Sequence, residues 1–292
     1  MRRRAGPLET VSVEVPADAM EAFEAAIDSV CATIAFFLID EDRGIWRIEG
    51  VRDVPEDDRA LEAALAIAEA ITGVAPAVTR APTAADGWLA RTLEAFPDQL
   101  VGTRFLIRGS HSQTEAPGRI ALTLDAGLAF GSGEHGSTRG CLRALEIAAR
   151  RRPSRILDMG TGSGILAMAA ARLVRRPVLA TDIEAWSVRV TAENSAVNGV
   201  GGLVRPLLAD GWRDRRVHGP YDLVFANILA GPLCRMAGDL SRNLAPGGSA
   251  ILAGLLNEQK TMVLVAHRRH GLALERTIRE GRWTTLLLRK AG

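Results

Sequence analysis

The amino-acid sequence predicts an α/β protein: a larger domain with a seven-stranded, mostly parallel sheet, preceded by a small α+β domain. Three observations lead to this prediction. The chain has 292 residues, which is enough for two domains. From Ile120 onward, apolar β-type runs alternate with helical segments, as in a parallel sheet covered by helices on both faces. Residues 1–80 contain 8 Arg and 16 Asp or Glu, a net charge of −8, whereas residues 81–292 carry +10, which indicates domains with different partners.

The overall composition excludes several classes of protein. Hydrophobic residues make up 47% of the chain and charged residues 24%, which is ordinary for a globular protein. A net charge of +2 and an aromatic fraction of 4% argue against a dedicated nucleic-acid binder. Cys31, Cys141 and Cys234 form no CxxC pair, so we expect a reducing compartment and no metal site. No apolar run is long enough to span a bilayer, and we expect a cytoplasmic monomer without membrane or direct nucleic-acid partners.

Residues 1–80 predict the element order strand, helix, strand, strand, helix, strand. Val11–Val15 alternates apolar and polar residues as a half-buried strand does, and a helix begins after Pro16. A second, Ala-rich helix ends at Gly73. Further strands are expected over 33–39, 45–48 and 77–80. This order matches a ferredoxin-like, split βαβ domain, and an irregular α+β extension of the main domain is the alternative.

The next stretch is predicted to connect the two domains. Trp88 and Leu93 indicate a short helix, Phe105–Arg108 is typical of a strand, and Ser110–Gly118 is a polar loop. We therefore divide the chain into a ferredoxin-like domain over 1–80, a linker over 81–118 and an α/β domain over 119–292.

The α/β domain contains seven predicted strands, with helices between most of them. The last two strands form a hairpin with Gly281-Arg282 as its turn, so the final strand is expected to be antiparallel to its neighbours. The seven strands are expected over 155–158, 178–182, 204–208, 223–226, 249–253, 273–279 and 284–289.

The strongest motif joins the first of these strands to a helix. Gly160, Gly162 and Gly164 follow a buried strand that contains Asp158. A dinucleotide-binding loop has the spacing G-x-G-x-x-G, but here the third glycine comes one residue early and Ile165 holds its position. G-x-G-x-G after an acidic residue is typical of class I S-adenosylmethionine-dependent methyltransferases. We expect Gly160 and Gly162 to let the cofactor approach the backbone, with a Gly-rich turn lacking a ligand as the alternative.

Two acidic residues follow the next two strands. Asp182 lies 22 residues after Gly160, at a strand end where a carboxylate can accept hydrogen bonds from both hydroxyl groups of a ribose. Asp210 follows the third strand, where it can face the adenine amino group, although a turn-forming Asp-Gly pair is nearly as good an interpretation. We therefore expect both residues to bind the cofactor.

Asn227 ends the fourth strand, at the edge of the sheet where ligands bind in open α/β folds. Its amide can accept a hydrogen bond from an amine and donate another, so we predict that Asn227 orients the amine that is methylated. No residue is an obvious general base, so water is expected to take the proton. Asn227–Ala230 lacks the Pro-Pro-aromatic sequence often found in amino-methylating enzymes, which disfavours a base-flipping DNA methyltransferase.

A glycine-rich loop precedes the first helix of the α/β domain and contains Phe130, His135 and Thr138. A surface histidine is the ordinary interpretation of His135 alone. Together the residues indicate a lid over a cofactor. Phe130 can cover an apolar face, and the Thr138 hydroxyl can hydrogen-bond the methionine end of the cofactor.

Five motifs together resemble the bacterial PrmA-type methyltransferases, a family that modifies large-subunit ribosomal protein eleven. The motifs are Leu128–Thr138, Leu157–Ala167, Ala226–Leu233, Leu244–Gly248 and Ala253–Gln259. The resemblance covers residues 120–292 by motif and the N-terminal domain by layout only. One departure is the lid, which usually has Thr-His-Pro-Thr-Thr where this chain has Glu134–Thr138; Thr138 is retained.

The resemblance implies a ferredoxin-like domain that recognises the ribosomal protein, a flexible linker and a Rossmann-like class I methyltransferase domain. It implies cofactor contacts at Thr138, Gly160, Asp182 and Asn227. It also implies methyl transfer from S-adenosylmethionine to lysine side chains, the N-terminal α-amine or both. Ribosomal proteins are typically basic, so the acidic first domain can attract one, with a solvated acidic surface as the alternative.

Three other functions are compatible with parts of this pattern. The first is a class I methyltransferase that acts on another protein or on a small amine. The second is a non-enzymatic module with a degenerate cofactor fold, against which the intact glycines and Asp182 argue. The third, a nicotinamide oxidoreductase, is disfavoured by Ile165.

Overall fold

A computed structural model of the chain describes residues 8–31, 33–40, 43–54, 57–83, 98–110, 112–124 and 136–292. The chain divides into two compact units near residue 97. Residues 8–83 belong to the first unit, and residues 98–124 and 136–292 belong to the second. Among these residues, no helix combines the length and the apolarity needed to cross a membrane.

The first unit confirms the predicted ferredoxin-like arrangement. Its elements are β1 (Leu8–Pro16), α1 (Met20–Asp28), β2 (Thr33–Asp40), β3 (Ile45–Asp53), α2 (Arg59–Thr72) and β4 (Thr79–Thr83). The strands form one antiparallel sheet in the order β2-β3-β1-β4. Because β3 pairs between β1 and β2, the strands that flank α1 are not neighbours, which is the split βαβ topology.

The side chains of the first unit follow from the alternation of β1. Val11, Val13 and Val15 are buried, while Glu14 between them is exposed. One charged residue is also buried: Arg52 on β3 is 5% exposed. Its guanidinium donates to Glu9 on β1 at 2.8 Å and to Asp58, directly before α2. These carboxylates compensate for the burial of the charge and connect β1, β3 and α2.

The second unit begins with a small sheet of β5 (Gln99–Val101), β6 (Phe105–Arg108) and β7 (Ile120–Thr123), paired in that order. The predicted strand at Phe105–Arg108 is confirmed, and sequence reasoning missed its two neighbours. The short helix predicted near Trp88 lies outside the described residues. The domain boundaries at residues 80 and 118 remain predictions.

The seven-stranded sheet of the second unit is confirmed. Its strands are β8 (Ile156–Met159), β9 (Val178–Asp182), β10 (Val204–Leu208), β11 (Tyr221–Asn227), β12 (Leu244–Leu256), β13 (Leu272–Glu280) and β14 (Trp283–Lys290). The order is β10-β9-β8-β11-β12-β14-β13. The first five strands in that order are parallel, and β14 is antiparallel to both of its neighbours, as the predicted final hairpin requires.

Five helices pack around this sheet; the first precedes β8, and the other four connect strands of the sheet. They are α3 (Gly136–Ala148), α4 (Ile165–Val174), α5 (Ala185–Val197), α6 (Ala230–Asn243) and α7 (Lys260–Arg268). Strand β8 is buried along its whole length and β11 along most of it, because helices cover both faces of the sheet. Their sequences therefore lack the alternation of buried and exposed residues seen in β1, and even Asp158 on β8 is buried.

The order of the strands fixes where a ligand can bind. From β8 the chain proceeds to β9 and β10 on one side, and then returns to β11 and β12 on the other side. In such sheets the crevice for ligands lies at the carboxyl ends of the strands, where the order reverses. Here that position lies between β8, which is followed by Gly160, and β11, which ends at Asn227.

Candidate active site

The glycine loop after β8 is a tight turn that leads directly into α4. The amides of Gly160 and Thr161 both donate to the carbonyl oxygen of Thr181 on β9, at 2.8 and 3.0 Å. Gly160, Gly162 and Gly164 have φ angles of +70°, +54° and +81°, a left-handed conformation that favours glycine. The loop therefore presents backbone, without side chains, at the start of a helix, as the close approach of a ligand requires.

Asp158, on β8, stabilises this loop through hydrogen bonds to its side chain. Its side chain is 1% exposed, and its Oδ2 accepts hydrogen bonds from the Thr161 hydroxyl at 2.8 Å and the Ala167 amide at 3.1 Å. Burial raises the pKa of this carboxyl to about 7, and the nearby charge of Asp182 acts in the same direction, while the two hydrogen bonds oppose it. The sequence marked Asp158 only as the acidic residue before the loop and gave it no role.

Asp182 ends β9, as predicted, and the backbone orients its carboxylate. Its Oδ2 accepts from the Gly162 amide at 3.0 Å, and its Oδ1 accepts from the Glu184 amide at 3.1 Å. A carboxylate has about four lone-pair sites, so each oxygen retains capacity for a hydroxyl donor. The predicted glycine and carboxylate therefore come together in one hydrogen-bonded unit.

A cavity of about 500 Å³ lies beyond the ends of β9 and β10. Its walls include Ile183 and Leu208, which are 66% and 48% exposed, together with Asp210. Two exposed apolar side chains beside Asp182 provide a surface for a planar base next to a ribose site. Sequence reasoning missed both, although an apolar residue directly after the strand-end acid was a visible signal.

Asp210 lies in the wall of this cavity but already has a partner. Its Oδ2 accepts from Nη1 of Arg213 at 2.8 Å, and both side chains are largely exposed. Gly211 follows with a φ of +50° and begins a short 3₁₀ helix. Both interpretations of the Asp-Gly pair are thus compatible with its position, and the contact between Asp210 and adenine remains a prediction.

Thr138 lies in the first turn of α3, fully buried. Its Oγ1 has no hydrogen-bond partner among the described residues. One turn further along α3, burial raises the pKa of the Cys141 thiol, and the charge of Asp158 raises it as well. Phe130 lies outside the described residues, so its contact with the cofactor remains a prediction.

The start of α3 is packed against the β13–β14 hairpin. A Cβ atom on Gly136 would lie 2.7 Å from the carbonyl oxygen of Glu280 and 2.9 Å from Cδ1 of Trp283. The Glu280 carboxylate also forms ion pairs with Arg139 and Arg143 on α3. The hairpin thus fills the space that a side chain at position 136 would need, so glycine is the residue that fits there.

Asn227 ends β11 with its side chain half-buried. Its Oδ1 is buried and has no hydrogen-bond partner among the described residues. Ala226 pairs with Met159 on β8, so Asn227 stands next to Gly160, where the glycine loop begins. The predicted amine-orienting residue is therefore adjacent to the predicted cofactor loop.

Three buried oxygen atoms in this region lack partners among the described residues: Thr138 Oγ1, Asp158 Oδ1 and Asn227 Oδ1. Most buried polar atoms in proteins are hydrogen-bonded, so each of these three oxygens is open to a partner that a ligand can supply. S-adenosylmethionine fits this set, because its ammonium group can donate to the oxygens and its carboxylate can accept from the Thr138 hydroxyl. Asp182 and the neighbouring cavity could then hold the ribose and the adenine.

Known proteins resemble this chain over most of its length. A family model described as ribosomal protein L11 methyltransferase (PrmA) matches residues 11–291. A protein of Rhizobium meliloti (strain 1021) called ribosomal protein L11 methyltransferase is 40% identical over 283 residues, covering 96% of this chain and 97% of that protein. One of the same name from Bradyrhizobium diazoefficiens is 47% identical over 212 residues, covering 71% and 72%.

A similar fold is found among solved structures. The crystal structure of ribosomal protein L11 methylase from Lactobacillus delbrueckii subsp. bulgaricus aligns with a TM-score of 0.62 and 30% sequence identity. The alignment covers 67% of this chain and 99% of that one.

Proposed function

The chain belongs to the ribosomal protein L11 methyltransferase (PrmA) family, and on this basis we propose that it methylates amino groups of ribosomal protein L11. It is a class I methyltransferase, and its methyl donor is S-adenosylmethionine. The acceptors proposed are lysine side chains, the N-terminal α-amine, or both. The observation that carries the proposal is the buried Oδ1 of Asn227, which has no partner among the described residues and is adjacent to the glycine loop.

Seven residues are proposed to hold the cofactor. Gly160 and Gly162 give it access to the loop backbone, and Asp182 accepts hydrogen bonds from the ribose. The remaining contacts assigned to the cofactor are those of Phe130, Thr138, Asp210 and Asn227. The support is the left-handed conformation of the loop, the orientation of the Asp182 carboxylate by two amides, and the unpaired Thr138 hydroxyl.

The bound cofactor supplies an electrophilic methyl group on a sulfonium, and the protein supplies position and exclusion of water. In this proposal Asn227 Oδ1 accepts a hydrogen bond from an N–H of the acceptor amine. The nitrogen lone pair is then free to point toward the donor. An ammonium group has no lone pair, so it must lose a proton before the nitrogen can attack. We propose that water accepts this proton, since none of the residues proposed for the site acts as a general base.

The N-terminal part of the chain is proposed to recognise the protein substrate. Residues 1–80 contain 8 Arg and 16 Asp or Glu, and an acidic domain attracts a basic ribosomal protein. In this division residues 81–118 form a linker and residues 119–292 carry out methyl transfer. The proposed setting is the cytoplasm, with the enzyme acting as a monomer and binding neither membranes nor nucleic acid directly.

A labelling experiment tests the substrate. The protein is incubated with methyl-labelled S-adenosylmethionine and total ribosomal proteins from a strain that lacks this gene. We expect a single labelled band that mass spectrometry identifies as L11, and no label with Asn227→Ala over the same time. Label on another protein, or only on a small amine, would show that this molecule is the acceptor and that L11 is not.

Electrostatic docking has its own test. The KM for L11 should rise with salt, because added ions screen the attraction between exposed charges. The KM for S-adenosylmethionine, measured in the same buffers, serves as the control and should change much less. A KM for L11 that does not depend on salt would remove the charge-based role of residues 1–80.

A further inference from the structure

The turn that carries Asn227 is flanked by two glycines from neighbouring strands. In the sheet, Ala226 pairs with Met159 on β8, and Asn227 pairs with Ala253 on β12. Ile228, the residue after Asn227, therefore lies between the residues that follow Met159 and Ala253. Those residues are Gly160 on one side and Gly254 on the other.

Both glycines contact Ile228 so closely that neither position has room for a Cβ atom. A Cβ on Gly254 would collide with the carbonyl oxygen of Ile228 and lie 2.8 Å from its carbonyl carbon and 3.1 Å from its nitrogen. A Cβ on Gly160 would lie 2.5 Å from Cγ2 of Ile228. The backbone of Ile228 thus packs on Gly254, and its β-branched methyl packs on Gly160.

An irregularity in strand β12 lies at the position of this contact. Its pairing with β14 is interrupted between Leu252 and Leu255, and Gly254 within this bulge has a φ of +79°. Bulges often occur next to active sites, where they change the direction of a residue. Gly254 also lies in the Ala253–Gln259 motif, for which neither the cofactor nor the amine provided a role.

The turn has two further contacts: Asn227 pairs with Ala253 in the sheet, and Ile228 also packs against the apolar core of the second unit. Helix α6 begins directly after it, and its N-cap residue Leu229 makes no side-chain capping hydrogen bond. Leu229 is 74% exposed, and the Oδ1 of Asn227 has no partner in the described part of the chain. The strand β11 ends at Asn227, so the close packing of Ile228 on Gly160 and Gly254 is what fixes the backbone directly after it.

We propose that Gly254 and Ile228 are positioning residues, which together with Gly160 form a clamp that sets the place of Asn227 relative to the cofactor loop. The clamp consists of Gly160, Ile228 and Gly254. This inference rests on the proposed role of Asn227 in orienting the amine. It also means that Ile228 links the amine-orienting turn to the cofactor loop, in addition to the pairing of β11 with β8.

The sharpest test compares two glycines of the same strand. Gly247 and Gly254 both lie on β12 with φ angles of +71° and +79°, so alanine is strained to a similar degree at each. At Gly247, however, the nearest atom to a new Cβ is the flexible Arg289 Nη2 at 3.8 Å. Any difference between Gly254→Ala and Gly247→Ala therefore reports the contact with Ile228.

We expect Gly254→Ala to lower kcat about tenfold or more, with the Kd for S-adenosylmethionine within about threefold of wild type. Gly247→Ala should keep kcat within about twofold. Hydrogen exchange in the cofactor-free protein gives a readout that does not depend on activity. The amides of residues 227–230 should exchange faster in Gly254→Ala than in Gly247→Ala.

A second pair of variants tests the clamp even if Gly254→Ala does not fold. Ile228→Val keeps the Cγ2 methyl that meets Gly160, whereas Ile228→Leu keeps the volume but loses the branch at Cβ. We expect Ile228→Val to retain about five times the kcat of Ile228→Leu, or more. Equal kcat values would contradict the clamp.

The outcomes separate the clamp from the proposed function on which it rests. If Asn227→Ala lowers turnover but the Gly254 and Ile228 variants change neither kcat nor exchange, the clamp is wrong. If exchange responds at Gly254 and Ile228 while Asn227→Ala retains full turnover, the three residues hold the turn as proposed, but the amine-orienting role of Asn227 is wrong and any loss of kcat does not act through it.

Discussion

The carboxyl edge of the large sheet has two sides that differ in how their polar atoms are paired. On the ribose side (Gly162, Asp182 and Glu184), two backbone amides already donate to the two carboxylate oxygens. On the transfer side (Thr138, Asp158 and Asn227), each residue has one buried oxygen without a partner in the described part of the chain. The first side is complete without a ligand, and the second side is not.

This difference teaches how the two sides contribute to stability and to function. Hydrogen bonds on the ribose side stabilise the free protein and orient the carboxylate for its ligand. An unpaired buried polar atom instead destabilises the free protein by about 1–3 kcal/mol, which a ligand recovers when it supplies the missing partner. Substitutions on the ribose side should therefore lower both the free energy of unfolding and the affinity for the cofactor. Substitutions on the transfer side should lower turnover or cofactor affinity without lowering the free energy of unfolding.

The largest expected effect concerns Asp158. Its pKa in the folded protein is about 7, above its ordinary value, so between about pH 4 and pH 7 the folded state holds a proton that the unfolded state has lost. The free energy of unfolding should therefore fall as the pH rises through this window, by at most about 4 kcal/mol.

Asp158→Asn removes this titration, and the amide oxygen can still accept from Thr161 and Ala167. Urea unfolding of the cofactor-free protein at several pH values measures the difference between wild type and variant. The wild-type curve should descend relative to that of Asp158→Asn between about pH 4 and pH 7 and become parallel above. Parallel curves over the whole range would show that Asp158 titrates normally.

Asn227→Ala tests the transfer side directly. The loss of the amide should lower kcat about 100-fold, or about 3 kcal/mol, because the acceptor amine is no longer oriented. The Kd for S-adenosylmethionine, measured by calorimetry, should stay within a few-fold, and the stability of the free protein should not fall. Unchanged turnover would mean that Asn227 does not orient the amine.

Asp182→Ala tests the ribose side. We expect the Kd for S-adenosylmethionine to rise about 30-fold, or about 2 kcal/mol, since two hydroxyl groups lose a charged acceptor. The unfolding free energy should also fall by about 1–2 kcal/mol, because the amides of Gly162 and Glu184 lose their partner. Asp210→Ala is the matched control: its carboxylate is exposed and paired with Arg213, so a smaller loss of affinity is expected. If the two variants weaken binding equally, Asp182 has no special role.

The smallest effect is expected at Thr138. Thr138→Val keeps the shape of the side chain and removes the buried hydroxyl that has no partner among the described residues. The melting temperature of the cofactor-free protein should rise, corresponding to about 1 kcal/mol, while the affinity for S-adenosylmethionine should fall about fivefold. A lower melting temperature would show that the hydroxyl is already paired within the protein.

The strand ends were the most predictable part of the site. Gly160, Asp182 and Asn227 could be found because each follows an apolar run, and parallel strands bring such positions to one edge. Leu208 and Gly254 could not, because an apolar residue or a glycine acquires a role only from what the fold places beside it. Ile183 was marked only by its position directly after the strand-end acid. The strand predicted over 249–253 extends over Leu244–Leu256, since its pairing with β11 begins earlier, opposite Tyr221.

By itself, the sequence determined the order of strands and helices in the first unit and in the seven-stranded sheet, the glycine loop and the family, because these depend on local periodicity and on residues close together in the chain. The tertiary structure decided which strands are neighbours, and hence that Ile228 lies between Gly160 and Gly254. It also decided which buried oxygens lack partners among the described residues. Contacts of this kind join residues that are distant in the chain, and their geometry follows from packing, which no local pattern encodes.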